Sequence, residues 1–578
     1  MTTLKETLTI LFKNAIQSTY GLEMDPVIKT ATRAEFGDFQ ANFALGLAKK
    51  IQKNPVVLAT EIADQLRTEP LFKELVVSGP GFINIHLDDA FLATHVQNLL
   101  QDPRLGIPLL KAPETIVIDY GGANVAKEMH VGHLRSAIIG DALVRILSFI
   151  GHHVIRQNHL GDWGTQFGML IEYLMQTDWK ADQTQNYSEL NTLYKKAKHQ
   201  FDTDTEFAYR ARARVVALQG GETQSRAIWQ QLVDESKTHF QKTYDKLNLL
   251  LCKEDAVGES FYNDKLATLV DELSSQGVAH LDQGAVVIYL DGFKDPDGNP
   301  LPFLIRKQDG GYLYATTDLA ALSYRLKTLK ANRILYVVDA RQKQHFAMLF
   351  AAGRKVFNLP ETLQLSHIAY GSVLGDDHKP LKTRSGESIK LNDLLIEAEK
   401  RAAELVAQKH PDLSPDDLAS IAQRVGIGAL KYADLRSDKV KDYVFSWDKM
   451  LAFEGNTGPY LQNAYVRIYA IFRKGNIDVE MLPTYPIQLG SDIEHALAIK
   501  LCALADVIET ISLNLQIHSL CDYLYDLAST FHRFYEHCPV LNVDDPEIRR
   551  SRLALCALTA KTLALGLGLL GIDVLERM

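Results

Sequence analysis

The spacing of apolar and polar positions changes character along the chain and divides it before any single residue is considered. In the first hundred residues, MTTLKETLTILFKNAIQ repeats its apolar positions at helical spacing and RAEFGDFQANFALGLAKKI opens a second helix. VVSGPGFINIHL then alternates as a strand around a Gly-Pro-Gly turn. TIVIDY is a short continuous apolar run, suited to a strand buried on both faces. A glycine-rich turn follows, then a helix from about His133 to Ile150 closed by Gly151, and a strand at HVIRQN; together they predict a β-α-β unit. A charged, mainly helical stretch occupies about 169–281, and strand-like segments resume with GAVVIYL, YLYATTD, RILYVVDA and SHIAYGSVL. From Leu391 onward helix follows helix, with no strand predicted and no internal repeat.

The predicted fold is therefore α/β: a doubly wound, parallel, Rossmann-like sheet over 113–390, interrupted by the helical insertion. A small α/β domain precedes it at 1–100, joined by a proline-rich linker at 101–112. A helical connecting region at 391–450 and an all-α domain at 451–578 follow.

Composition narrows the function without naming it. Of the 578 residues, 46% are apolar and 23% charged, which excludes a disordered or low-complexity chain. A net charge of −9 excludes a bulk polyanion binder but leaves room for local basic patches. Cys252, Cys502, Cys521, Cys538 and Cys556 are scattered without a C-x-x-C pair, so neither a disulfide framework nor a structural metal is expected, and a reducing compartment is. The N-terminus has Glu6 ahead of its apolar residues and lacks the features of a signal peptide. Leu553–Ile572 is apolar enough to raise a membrane question; Lys561 within it and the glycines after it predict a buried core helix. A cytoplasmic, soluble protein with no membrane partner is the expectation.

The richest local chemistry lies between Asp119 and His133, where DYGGANVAKEMHVGH carries the chain from strand end to helix start. Such a turn at the carboxyl edge of a parallel sheet suits phosphate, because free helix N–H groups and the helix dipole favour negative charge. His130 and His133 are candidate donors to phosphoryl oxygens, and Gly132 leaves room for a flat base. Two bland readings stand beside this. An H-x-x-H pair can bind metal, although a zincin helix needs i, i+4 spacing with an intervening Glu, and paired histidines at a helix start also serve as caps.

H-V-G-H after a first strand resembles the HIGH motif of class I aminoacyl-tRNA synthetases. The longer runs ANVAKEMHVGHLRS and NHLGDWGTQFGML resemble bacterial-type arginyl-tRNA synthetases, as do GPGFINI, GGYLYATTDLAA, VVDARQKQH, VGIGALKYADL and EGNTGPYLQNAYVRI. These seven stretches occur in family order and span nearly the whole chain. The resemblance implies an arginine–tRNA ligase that uses ATP with Mg²⁺, has L-arginine and tRNA(Arg) as partners, works as a monomer and needs no dedicated metal site. The family's arginine pocket falls on Asp119, Asn124, Tyr314, Asp318 and Gln342. Two carboxylates with neutral polar groups suit a guanidinium, which stays charged and pairs bidentately. Strand-end bonding for Asp119 and a helix cap for Asp318 are the alternatives. The family's second motif, K-M-S-K-S, is degenerate here: in Lys379-Pro-Leu-Lys-Thr-Arg-Ser-Gly386 the first lysine position holds Pro380. Lys379, Lys382 and Arg384 keep positive charge, and the resemblance assigns the missing charge to Lys127; a solvated basic turn is the bland reading. His159, Asp162 and Trp163 are expected in the same cleft, Trp163 more as core, with His367, Tyr370 and Gly371 beside the adenine.

By the same resemblance the first domain meets the tRNA corner through Phe82 and Asn84, an aromatic stacking on a base while an amide reads its edge. The helical C-terminus resembles an anticodon-binding domain. It is net acidic, so contact there rests on a local patch, with Tyr460, Tyr465 and Arg467 as candidates beside Arg473 and Lys474. Strand core for Phe82 and solvated helix faces for the charges remain open. The rivals are another class I synthetase, whose cysteine form would show zinc-spaced cysteines, and a non-catalytic tRNA-binding paralogue.

Overall fold

The computed structural model describes residues 2–31, 33–177, 187–381 and 389–578. The chain gathers into two compact units. One holds the residues up to Leu109 together with Leu451–Leu569 and Asp573–Met578; the other holds Leu110–Met450 with Leu570–Ile572. The segments 1–100 and 451–578 read above, apart from Leu570–Ile572, both lie in the first of these units.

The first part of that unit contains α1 (Leu4–Tyr20), β1 (Ile28–Thr30), β2 (Phe39–Ala41), α2 (Ala44–Ile51), α3 (Pro55–Leu66), β3 (Phe72–Ser78), β4 (Phe82–Leu87) and α4 (Asp89–Gln101). Its four strands form an antiparallel sheet in the order β1-β2-β4-β3. Side-chain caps start α1 and α4: Thr3 accepts from the Glu6 amide and Asp88 from the amides of Ala90 and Phe91.

In the central unit, β5 (Thr115–Asp119), α5 (Val131–Phe149) and β6 (His153–Gln157) form the expected β-α-β unit. The helix starts at Val131, two residues before the predicted start. It is buried over most of its surface, and at Gly140 it meets the Tyr120 ring, whose atoms lie 2.3–2.5 Å from where a Cβ would be. Buried Arg135 pairs with buried Asp434, Nε to Oδ2 3.0 Å, fastening α5 to a later helix of the same unit. The insertion supplies α6 (Thr165–Gln176), α7 (Tyr187–Thr203), α8 (Thr205–Gln219), α9 (Thr223–Lys246) and α10 (Asn263–Ser275).

Two strand expectations need correction. GAVVIYL does not rejoin the parallel sheet. It lies in β8 (Ala285–Lys294), between β7 (His280–Asp282) and β9 (Pro300–Arg306), in a separate antiparallel sheet. Alternation shows that one face of a strand is buried, not which strand it pairs with. YLYATTD is no strand either: Tyr314 begins α11 (Tyr314–Lys327), and the Thr316 hydroxyl bonds to the carbonyl of Ile305. The main sheet is completed by β10 (Arg333–Tyr336), then α12 (Lys343–Phe357) and β11 (Gln364–His367), giving the parallel order β11-β10-β5-β6. Strand order reverses between β5 and β10, and ligand sites of open parallel sheets lie at such a point.

Beyond it, β12 (Val373–Leu374) precedes α13 (Leu391–Lys409) and α14 (Pro415–Leu435) and pairs with β13 (Tyr443–Val444), a two-residue strand in the region predicted to be wholly helical; α15 (Trp447–Met450) ends the Leu110–Met450 segment. The remaining helices are α16 (Gly458–Gly475), α17 (Asp492–Cys502), α18 (Leu504–Asn514), α19 (His518–His537) and α20 (Pro546–Leu569). The last is long and apolar enough to cross a membrane, but most of it is buried against α4, α16 and α19, and Lys561 Nζ donates to the carbonyl of Leu100 at 2.9 Å. Helix α4 packs against α17. There the His495 ring is held from both sides, Nδ1 2.6 Å from Asp89 and Nε2 3.0 Å from Asp38.

Candidate active site

At the carboxyl ends of β5 and β10 opens a cavity of about 620 Å³. Residues from β5, the following turn, α5, α11 and the start of α12 line it, among them Asp119, Asn124, His130, Gly132, His133, Tyr314, Asp318, Gln342 and Tyr370. All five side chains expected around arginine and both motif histidines therefore share one cavity. Lys127, His367, Gly371 and Lys379 do not line it, and Lys382 and Arg384 lie outside the described residues.

The turn reaches the cavity through Gly121 (φ +94°) and Gly122 (φ +55°), in the left-handed region that glycine enters without a Cβ penalty. Both histidines cap α5. His130 Nδ1 accepts from the amide of Gly132 at 3.1 Å, and His133 Nδ1 accepts from the amide of His130 at 3.0 Å. The cap and phosphate readings are thus compatible: with each Nδ1 accepting, a neutral ring carries its proton on Nε2 and keeps that donor. Burial lowers the His133 pKa to about 3, and burial with the nearby Arg341 charge lowers that of His130. The room that Gly132 leaves is taken up by the His130 ring, which a Cβ would approach to 2.9 Å.

The acidic residues are held by neighbours that local sequence does not reveal. Asp119 Oδ2 accepts from Nη2 of fully buried Arg325 at 2.6 Å, and Arg325 Nε donates to Gln157 at 2.6 Å. Tyr314 and Asp318 stand one turn apart on α11, as their spacing implied, and Asp318 lies inside the helix, so it is no N-cap. Its Oδ2 is 2.7 Å from His345 Nε2 and its Oδ1 3.9 Å from His159. Glu259 also lines the cavity. Burial first, then the charges of Asp162 and Asp318, raise its pKa to about 8. Asp162 supports it by accepting from the Ser260 amide and hydroxyl at 2.9 and 2.7 Å. Glu259 had no legible signal; His345, Asp339 and Arg341 sat in the VVDARQKQH run, unassigned. Arg341 lines the cavity, 2.7 Å from Asp339.

Other candidates fall outside the cavity. Lys127 Nζ sits over the Tyr194 ring, 4.8 Å from its centroid. Lys379 is exposed on a turn where its amide bonds to Asp377. His367 Nε2 is 3.0 Å from the Val338 carbonyl and its ring packs on Phe346. Gly371 lets Lys441 and Asp442 approach: a Cβ would lie 2.6 Å from Asp442 Oδ1. Trp163 packs edge-on to Trp229, as a core residue would. In the other unit Asn84 is 4% exposed and its Oδ1 accepts from Gln40, while Phe82 is half-buried. Tyr460 bonds to His532, Tyr465 is buried and stacked on Tyr469, and Arg467 lies over the Tyr535 ring. Among the described residues no three His, Cys, Asp or Glu side chains gather as a metal site.

Known proteins resemble this chain along its whole length. Residues 95–447 match the catalytic domain of class I tRNA synthetases (R), 6–87 the arginyl-tRNA synthetase N-terminal domain, and 461–578 the DALR anticodon-binding domain. The arginine–tRNA ligase of Cellvibrio japonicus is 51% identical over 568 residues, 98% of each chain, and that of Photorhabdus laumondii 49% identical over 551 residues, 95% of each. Among solved structures, arginyl-tRNA synthetase from Plasmodium falciparum superposes with a TM-score of 0.85 at 32% identity, covering 100% of both chains. That from Thermus thermophilus gives 0.81 at 25% identity with the same coverage.

Proposed function

The chain belongs to the class I arginyl-tRNA synthetases and is an arginine–tRNA ligase, and we propose that the cavity at the ends of β5 and β10 is where it activates arginine. Its substrates are arginine, ATP and tRNA(Arg). A carboxylate oxygen of arginine attacks the α-phosphorus of ATP; the bond to the bridging oxygen breaks and pyrophosphate leaves with its electron pair. A hydroxyl of the tRNA's terminal adenosine then attacks the acyl carbon, and AMP leaves.

The supporting observation is the sharing of one cavity by carboxylates and proton-poor imidazoles. Asp318 and Glu259 take the guanidinium, with Tyr314, Gln342 and Asn124 as polar neighbours. Asp119 already carries Arg325 as counter-ion, so it is the weaker cation site and accepts the α-ammonium. His130 and His133, neutral, donate Nε2–H to phosphoryl oxygens as charge builds. Arg341, Lys127, Lys379, Lys382 and Arg384 supply positive charge, and Tyr370 borders the adenine with His367 and Gly371 behind it. Mg²⁺ enters with the ATP substrate, held by phosphates and water; the nearby carboxylate of Asp339 is occupied by Arg341. Phe82, with the Asn84–Gln40 amides beside it, meets the tRNA corner, and Tyr460, Tyr465 and Arg467 support the anticodon side. The enzyme acts as a cytoplasmic monomer.

ATP–pyrophosphate exchange with each of the twenty amino acids, with and without tRNA(Arg), tests the assignment. Exchange specific for arginine and abolished by His133→Ala is the expected result; full exchange in that variant refutes the site.

A further inference from the structure

The insertion, which interrupts the sheet without adding to it, touches the phosphate-side turn at three consecutive residues. Between Asn124 and His130 the backbone passes through Ala126, a non-glycine residue at φ +64°, whose amide donates to Ser236 of α9 at 3.0 Å. Such a conformation persists only where its surroundings hold it. Just beyond, Glu128 Oε2 accepts from Asn191 Nδ2 at 2.8 Å and from Lys390 Nζ at 2.7 Å. Lys127 Nζ sits 4.8 Å from the centroid of the Tyr194 ring. Asn191 and Tyr194 are three residues apart on α7 and so share a face. Tyr194 is seated in turn against the small core of Met169, Phe207 and Ala211.

We propose that Tyr194 is a positioning residue for adenylate formation: its ring holds the Lys127 ammonium beside the phosphate-binding turn, so that the insertion fixes a cation for the reacting phosphate. The proposal rests on the reading of Lys127 as a charge donor to ATP. Lysine is a point charge on a flexible four-carbon stem, and confining it beforehand removes an entropy cost from the step that uses it. An aromatic face attracts an ammonium through the ring quadrupole and does so without neutralising its charge.

The test uses the full chain with arginine, ATP and tRNA(Arg), reading kcat of ATP–pyrophosphate exchange and KM for arginine. Lys127→Ala is expected to lower kcat by about 10²–10³. Tyr194→Leu lowers it by about 5- to 30-fold, the loss of a partly desolvated cation–π contact, with KM for arginine unchanged. Tyr194→Phe stays within about twofold, because the ring face remains. In the Lys127→Ala background, Tyr194→Leu brings no further loss. An equal fractional loss in both backgrounds overturns the proposal, since Tyr194 then acts through the insertion core and not through Lys127. A Lys127→Ala variant at near wild-type kcat refutes the reading of Lys127, and the proposal falls with it. Wild-type kcat in Tyr194→Leu, beside a defective Lys127→Ala, refutes the role of Tyr194 alone. Should Tyr194→Leu fail to fold, Tyr194→Phe carrying one, two and three ring fluorines keeps the shape while weakening the negative face. A stepwise fall in kcat with fluorination is expected, and an unchanged kcat overturns the proposal.

Discussion

Binding of arginine is expected to expel a proton from Glu259, and the size of the effect follows from its surroundings. Burial and the charges of Asp162 and Asp318 hold its pKa near 8 in place of 4.5, so at neutral pH the carboxyl is mostly protonated. A guanidinium beside it favours the carboxylate, and binding therefore removes the proton. Below pH 8 each pH unit adds a deprotonation cost of about 1.4 kcal/mol, or roughly tenfold in affinity. The dissociation constant for arginine is expected to fall about tenfold per pH unit toward pH 8 and to level off above it. Calorimetric titration at pH 7 in two buffers of different ionisation enthalpy should show close to one proton released per arginine bound. Glu259→Gln should abolish the release and flatten the pH profile while weakening binding most at high pH. Binding without proton release in the wild type, or an unchanged pH profile in Glu259→Gln, refutes the reasoning.

Asp318→Asn replaces a charge-assisted pair with the guanidinium by a neutral one and should cost arginine about 2–4 kcal/mol in KM while leaving KM for ATP nearly unchanged; steady-state exchange kinetics check both. Gly132→Ala sets a Cβ 2.9 Å from the His130 ring, so the ring must shift off its cap, and kcat should fall about 10- to 100-fold with little change in arginine binding. His495, held between Asp38 and Asp89, has its pKa raised from 6.5 to about 9 by those hydrogen bonds. Its contribution, at most about 3 kcal/mol, is fully present below pH 6.5 and is lost as pH rises through 9. Urea unfolding at pH 6 and pH 9.5 should show that loss in the wild type and not in His495→Gln.

Where chemistry depends on neighbours in sequence, the chain was legible. TIVIDY, the paired glycines and H-V-G-H follow one another within a short stretch, so a buried strand, a left-handed turn and a capped helix bring Asp119, Asn124, His130 and His133 to one sheet edge. Tyr314 and Asp318 were readable for the same reason, since one helical turn fixes their common face even though the strand reading of YLYATTD fails. Other features needed the tertiary structure. GAVVIYL joined a sheet of its own, Arg325 reached Asp119 across 206 positions of sequence, and His495 closed on Asp38 across 457. Lys127, chosen from its place before His130, rests on a tyrosine of the insertion, while Arg341 lines the cavity. Glu259 became a candidate only through its surroundings, because burial and two nearby carboxylates set its protonation. Periodicity in a sequence reports that a face is buried. It carries no information on what is packed against that face, and pairing, dielectric and charge at a site depend on that partner.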